Sequence, residues 1–319
     1  MDNLCHTLVG AALGKAGLDR RTPLATATLL IGANLPDVDV LAYLWGPDTA
    51  LGFRRGWTHG VPALVLWPFV LTGMMLAWDR WVRRRRRPAA PTAIPRELLL
   101  LSAVSILTHP FLDWLNNYGM RWLMPFRDVW TYGDTLFIVD VWIWLALALG
   151  VVVSRWRGRR GLTRPERPAR LALGAVCVYI ALMAGSNLAA RGVVRESLTA
   201  AGTPPGRLMA GPVPVTPLRR QVVADVGEGY AVGTLDWTGR PAFAPRPGLV
   251  TKADGHPAVA AAAATREGAI FLHWARFPYF VVEERPAAWV VRMGDARYTL
   301  QPGQGFGGLT VTVPKETTR

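Results

Sequence analysis

The chain has 319 residues, 51% of them hydrophobic, with mean hydropathy +0.20 and a formal net charge of +14. Its two cysteines, Cys5 and Cys177, form no C-x-x-C motif, which argues against a disulfide framework or a thiolate zinc site. The apolar runs are confined to about the first 190 residues, so a membrane part followed by a soluble part is expected rather than one soluble globule.

Six helical segments are expected in chain order, at about 2–16, 23–45, 61–80, 96–116, 136–154 and 170–190. The first, MDNLCHTLVGAALG, lacks the basic start of a signal peptide and carries Asp2 and His6, so it reads as a retained helix. Asn3, His6, Gly10 and Gly14 share one face of it, where small residues permit close helix approach. The second contains NLPDVD, in which Pro36 breaks the helix and lets Asp37 and Asp39 both turn inward. RRGWTHG then brings Arg54, Arg55 and His59 to the start of 61–80, whose stretch 61–78 holds no charged residue. In 96–116, His109 and Asp113 stand four apart on one helix face inside an apolar stretch, followed by Asn116 and Asn117. Segment 116–135 reads as an aromatic-rich loop with Arg121, Arg127 and a solvated Asp134. Asp140, isolated in apolar sequence at the start of 136–154, can be a ligand, a group orienting a ligand histidine or a counter-ion for Arg121 or Arg127, and the orienting role is favoured. The stretch 171–190 is again free of charge.

Beyond about residue 193 an α+β, β-rich unit is expected. Strands are read at 221–226, 230–237, 269–280, 288–293 with 298–300, and 309–313, with a helix at 256–265. Residues 202–217 read as a Gly/Pro linker and Met293–Ala296 as a hairpin turn. His256 and His273 are read as structural or exposed. The fold class is therefore a mainly α membrane bundle of about five to six helices over 1–192, with a soluble extracytoplasmic domain over 193–319.

Arginines cluster at 83–87 and again between 155 and 170, beside hydrophobic spans, and are read as cytoplasmic loops. A nucleic-acid role for RRRRR is the alternative; no direct nucleic-acid contact is expected. This topology places His6, Asp37, Asp39, His59, His109 and Asp113 on the outer side at similar depth, with the C-terminal domain outside.

Three imidazoles and three carboxylates suit zinc, or a zinc/manganese-type pair, better than calcium. One or two divalent ions are expected, with Asp37, His109 and Asp113 central to metal-assisted hydrolysis. The sequence has no G-x-S-x-G, Walker loop or H-E-x-x-H to suggest another mechanism. Plainer readings stand beside these. His109 with Asp113 can be a buried hydrogen-bonded pair, Asp37 with Asp39 turn carboxylates, His59 an interfacial histidine and His6 a core histidine. Arg54, Arg55, Arg121 and Arg127 are either phosphate-binding groups or membrane anchors.

The runs MDNLCHTLVGAALGKAGL, ATLLIGANLPDVDVLAY, RRGWTHG, LTHPFLDWLNNYGMRWLMPF and LFIVDVWIWL resemble the bacterial inner-membrane metal-dependent hydrolases, also described as LexA-binding, inner-membrane-associated hydrolases. The likeness covers about residues 1–150. That family is distantly similar to the zinc-dependent phospholipase C and P1 nuclease group, in which an Asp, a later His and a His-x-x-x-Asp pair hold zinc. Carried over, the ligands would be Asp37 or Asp39, His59, His109 and Asp113, with His6 as a further one. The group's additional His and Glu ligands have no counterpart here. The resemblance implies a phosphoester hydrolase of the inner membrane, with membrane lipids and a LexA-type repressor as partners. The alternative is a non-enzymatic membrane protein, either an ion- or proton-coupled transporter or a repressor-binding adaptor.

Overall fold

The computed structural model describes residues 1–315. The chain divides into two units, Met1–Leu41 with Phe53–Gly185, and Ala42–Gly52 with the chain from Ser186 onward.

The first unit is helical. Helix α1 (Asn3–Lys15) starts at Asp2, whose carboxylate accepts from the Leu4 and Cys5 amides. Helix α2 (Ala25–Gly32) gives way to a 3-10 helix, Leu35–Trp45, at a 45° bend. Pro36 explains the break, since it has no amide to continue the ladder. After a short α3 (Pro47–Phe53), nearly all of which belongs to the second unit, the chain continues in the first with α4 (Val61–Trp78), which runs through a π-helical stretch into α5 (Arg84–Arg86). Helices α6 (Pro95–Trp114), α7 (Val141–Arg159) and α8 (Arg167–Ala200) follow, and α8 runs on into the second unit. Proline near the start of α4 and α6 suits a position whose amide would be unpaired anyway.

Ten α-helices are described, against the five or six expected, because breaks and short connecting helices divide the long segments. Among the described residues, three helices are long and apolar enough to cross a membrane: Val61–Arg86, Val141–Arg159 and Arg167–Ala200. The bent pair of α2 and the 3-10 helix makes a fourth if counted as one span. With 13 residues, α1 falls short of the ~20 that a hydrocarbon core needs. Helix α6 is long enough, but it carries Arg96, Glu97, His109 and Asp113. The outward faces of the long helices are apolar: Leu66 and Phe69 of α4, Leu149 and Val152 of α7, and Leu182 of α8 are all exposed. An apolar exterior of this extent is what a lipid-facing bundle presents. Inside, Cys5 and Val9 of α1 pack with Leu112, Ile143, Leu147 and Val176.

The second unit is an antiparallel sheet domain. Strands β1 (Leu208–Pro212), β2 (Arg219–Asp225), β3 (Gly229–Asp236) and β4 (Ala242–Pro245) lie in that order, and β5 (Val250–Thr251) also pairs with β3. Strands β6 (Pro278–Glu284), β7 (Ala288–Asp295) and β8 (Gly308–Pro314) form a second sheet. Alternate residues of β1 and β2 go to opposite cores. Leu208, Ala210, Val222 and Ala224 pack with Ala190 and Val194 of α8, whereas Met209 and Val223 pack with Phe277 and Tyr279. Both faces being covered, β1 is buried throughout. Its residues fall in the stretch expected to be a linker, because Pro and Gly hide a strand whose partner lies further along the chain.

Three more expectations are corrected. The first half of 269–280 is helix α10 (Arg266–Trp274), which follows α9 (Pro257–Ala263); the Thr265 hydroxyl caps it by accepting from the Gly268 amide. Only from Pro278 does that stretch become β6. Met293–Asp295 are the end of β7 and Ala296 begins the turn after it, while the partner strand β8 begins only at Gly308, so no tight hairpin joins 288–293 to 298–300. Asp134 is buried, not solvated.

Candidate metal centre

Helix α6 places His109 and Asp113 one turn apart on its buried face, with Nε2 of His109 and Oδ2 of Asp113 separated by 3.6 Å. The turn before α4 delivers His59, whose Nε2 lies 3.2 Å from His109 Nε2 and 3.6 Å from Asp113 Oδ2. The 3-10 helix delivers Asp37, whose Oδ1 is 3.6 Å from His109 Nε2 and 4.0 Å from His59 Nε2. Asp37, His59, His109 and Asp113 each offer one ligand atom, all four within 4.8 Å of one another, and all four residues are buried.

The second nitrogen of each histidine fixes what faces this centre. His109 Nδ1 lies 2.7 Å from the Ala33 carbonyl, which can only accept, so the proton sits on Nδ1 and Nε2 is a lone pair. Thr58 Oγ1 donates to Asp39 Oδ2 at 3.2 Å and stands 2.8 Å from His59 Nδ1. A hydroxyl that donates to a carboxylate accepts from the imidazole, so His59 Nε2 is also a lone pair. Two imidazole lone pairs thus meet at 3.2 Å with a carboxylate oxygen on either side. Asp113 Oδ2 is buried and accepts no hydrogen bond. Arg55 Nε, 3.1 Å from Oδ2, offsets part of the Asp113 charge, and a cation among the four ligand atoms would relieve the remaining repulsion between the two facing lone pairs. Zinc held by ~2.0–2.1 Å bonds at tetrahedral angles would separate its ligand atoms by about 3.3 Å, near the spacings seen here. The donor set therefore fits a divalent transition-metal ion.

Of the two acidic residues in NLPDVD, Asp37 faces the centre and Asp39 stands behind His59. Asp39 Oδ2 accepts from the Arg55 amide at 2.8 Å and lies 3.4 Å from His59 Nδ1, which makes it an orienting group and not a ligand. His6, expected as a further ligand, is stacked on His109 with ring centroids 3.7 Å apart. Its Nε2 meets Asp113 Oδ1 at 3.2 Å, so that nitrogen carries the proton and the ring supports the centre from the side. The Met1 amine also donates to Asp113 Oδ1.

The arginines divide as well. Arg54 spans Asp37 and Asp39 at 3.8 and 3.5 Å, with its side chain 23% exposed. Arg55 is buried and ion-paired with Asp113 at 3.1 Å; its guanidinium donates to Asn116 Oδ1 and the Gly119 carbonyl and lies 4.5 Å from the Tyr118 ring centre. Asn116 thus positions Arg55. Arg121 is buried too, pairing with Asp128 and donating to the Arg54 carbonyl at 2.8 Å. The expected substrate-binding role of Arg55 and Arg121 is therefore corrected to charge compensation and scaffolding. Asp140 lies outside the cluster: it caps α7 by accepting from the Trp142 and Ile143 amides, and the Tyr179 hydroxyl donates to it at 3.1 Å. Its expected orienting role falls away.

Three supporting groups were not anticipated: Thr58, the Ala33 carbonyl, and Asn3, which donates to Asp37 Oδ2 at 3.0 Å. Asn3 was legible as sharing a face with His6. Thr58 beside His59 carried no signal beyond adjacency, and a backbone carbonyl carries none.

A family model described as YdjM inner membrane protein matches residues 1–190, which contain every residue of the centre. A relative is an uncharacterized protein, YfhP, of Bacillus subtilis (strain 168), 24% identical over 173 residues. That alignment covers 51% of this chain and 49% of the relative, so the chain spans about half the length of the curated protein it matches. No solved structure matches. The match over more than half of the chain, together with the long apolar helices, places this chain in the YdjM inner membrane protein family.

Proposed function

We propose that the protein is a multi-pass membrane hydrolase that uses one divalent ion, zinc or manganese, to cleave a phosphoester of a lipid-like substrate. The observation that supports it is the pair of imidazole lone pairs 3.2 Å apart, flanked by Asp37 and Asp113. When bound, such an ion supplies Lewis acidity toward a phosphoryl oxygen and acidifies a water molecule. Asp37 and Asp113 provide the negative charge that holds it. Asp39 and Thr58 lock the His59 ring, and the Ala33 carbonyl locks that of His109. Arg54, the part-exposed cation beside Asp37, holds a substrate phosphate.

A lipid-like substrate is favoured by an open groove of about 510 Å³ that reaches Asp37. Asn3 and Asn34 are its polar lining residues besides Asp37, and Leu30, Ile31, Leu35 and Val38 are apolar. A metal ligand at the wall of an apolar groove suits an amphiphile, with its phosphate at the carboxylate and its chain along the leucines. In this proposal the arginine-rich loops at 81–95 and 155–169 are cytoplasmic, and the C-terminal unit is outside.

Metal analysis of the detergent-purified protein should find about one transition-metal ion per chain. Hydrolysis should then be assayed on a panel of phospholipids and model phosphodiesters with added zinc or manganese. A metal-free protein that stays inactive across the panel would overturn the hydrolase reading in favour of a transporter or adaptor.

A further inference from the structure

Helices α1 and α7 run parallel. At their starts the Asp2 amide donates to the Ile138 carbonyl at 3.2 Å, and Trp144 Nε1 donates to Asp2 Oδ2 at 3.1 Å. Their ends therefore lie together, roughly 13 Å along α1 from His6. Between those ends is a cavity of about 460 Å³ whose lining includes Lys15, Asp19, Arg20, Ser154, Arg155 and Arg159. Asp19 is the one carboxylate in that lining, and it is taken up by Lys15 at 2.8 Å.

Helix C-termini attract cations, and arginines commonly follow a membrane span, so basic residues here need no ligand to explain them. What the general rule does not explain is how they divide. Arg157 donates to the Thr163 carbonyl at 2.7 Å, and Arg160 lies over the Trp156 ring at 5.8 Å. Arg155 and Arg159 both line the cavity, one turn apart, and among the described residues neither has an ion-pair or hydrogen-bond partner. Both are exposed, so water screens their mutual repulsion in part, and an anion between them would relieve the rest.

The level of the cavity indicates the anion. The charge-free run of α7 ends at Ser154, immediately before Arg155. Just before it, Leu149 and Val152 are exposed on the apolar surface, and just after it Trp156 is half exposed, as at a headgroup boundary. We propose that this cavity binds the phosphate of an anionic phospholipid, held by Arg155 and Arg159, with the acyl chains against the apolar flank of α7. The shared chemistry is a phosphate anion; the lipid, rather than free phosphate, is the source that the exposed apolar flank favours.

The test is native mass spectrometry of the full chain released from nanodiscs of phosphatidylglycerol and phosphatidylcholine in equal amounts. Wild type should retain phosphatidylglycerol preferentially. Each arginine near an anionic headgroup contributes about fivefold, so Arg155→Gln with Arg159→Gln should lower that retention about thirtyfold. The charge-matched control, Arg84→Gln with Arg85→Gln outside the cavity, should retain it. Equal loss in both double variants would reduce the effect to general surface charge and overturn the site. A second arm titrates sodium phosphate against the same protein. Displacement of phosphatidylglycerol by low millimolar phosphate would overturn the lipid in favour of the free anion; persistence of the lipid supports it. Should the double variant fail to fold, Arg159→Gln alone, at the exposed last residue of α7, should show about a fivefold loss.

Discussion

The proton positions on His59 and His109 make the centre depend on groups that would touch no ion. Thr58 is the sharpest case, because its hydroxyl passes a hydrogen bond from His59 Nδ1 to Asp39. Thr58→Val keeps the shape and removes that relay, and should weaken metal affinity about 10–100-fold, whereas Thr58→Ser should stay near wild type. Competition with a chelator of known affinity measures both. His109→Ala and Asp113→Ala each remove a ligand and should abolish metal retention and any metal-dependent hydrolysis. Both should still insert, since deleting an ionisable group from an apolar helix lowers its transfer cost. Metal content and membrane fractionation of each variant check this, and His256→Ala, which removes the cap of α9 and a ring contact with Trp289 away from the centre, should match wild type. The sequence showed the pairing of His109 with Asp113 because one helical turn separates them. It could not separate Asp37 from Asp39, since that choice depends on the 3-10 path after Pro36.

Packing between α2 and α6 sets how near the Ala33 carbonyl comes to His109. At Gly32 an added Cβ would lie 2.1 Å from Ser105 Oγ, so the helices touch at that point. Gly32→Ala should cost about 1–3 kcal/mol and weaken metal binding, because overpacking there pushes α2 outward. Adding Ser105→Ala should recover most of both, a coupling that a double-mutant cycle in thermal melts and metal titrations would detect. In the sheet unit, burial would raise the Asp225 carboxyl, but the hydrogen bond from Lys252 Nζ at 2.8 Å and the Gly227 amide hold it below the usual carboxylate range. A depressed folded value gives stability that is complete above the unfolded value of ~3.9 and is lost as pH falls through the folded one. Lys252→Met should therefore cost about 1 kcal/mol at pH 7, and the gap to wild type should narrow toward pH 2 in thermal melts. The elements that sequence patterns misjudged share a cause. Residues 269–280 are rich in the aromatic and β-branched types of strands, yet the Thr265 cap and the pairing of β6 with β7 decide where helix ends and strand begins.

Across the whole chain, charge-free length identified the long helices, and the change in composition near residue 190 marked where the sheet unit takes over. Helix α6 has the length of a further span, but its apolar run is interrupted by His109 and Asp113, two residues of the candidate centre. The proposed orientation puts both arginine loops inside and the sheet unit outside. A reporter active only in the periplasm, fused after residue 200, should be active, and one fused within 81–95 should be silent; the reverse pattern would invert the topology. Hydropathy could not give the depth of each ligand or the packing partner of α6, because both follow from contacts between segments far apart in sequence.

The four residues of the candidate centre come from three stretches separated by more than twenty residues each, with only His109 and Asp113 local to one another. A zinc finger gathers its ligands over a short loop, so the ion can nucleate the fold. Here no stretch offers more than two ligands until α2, α4 and α6 have docked. On the proposed metal reading the order of biogenesis follows: insertion and helix assembly would come first, and loading last. Cells starved of metal should accumulate protein that is already built and becomes occupied within minutes of adding the ion to isolated membranes. Occupancy then reports on completed assembly, and a chain with every helix inserted but one misplaced would emerge empty.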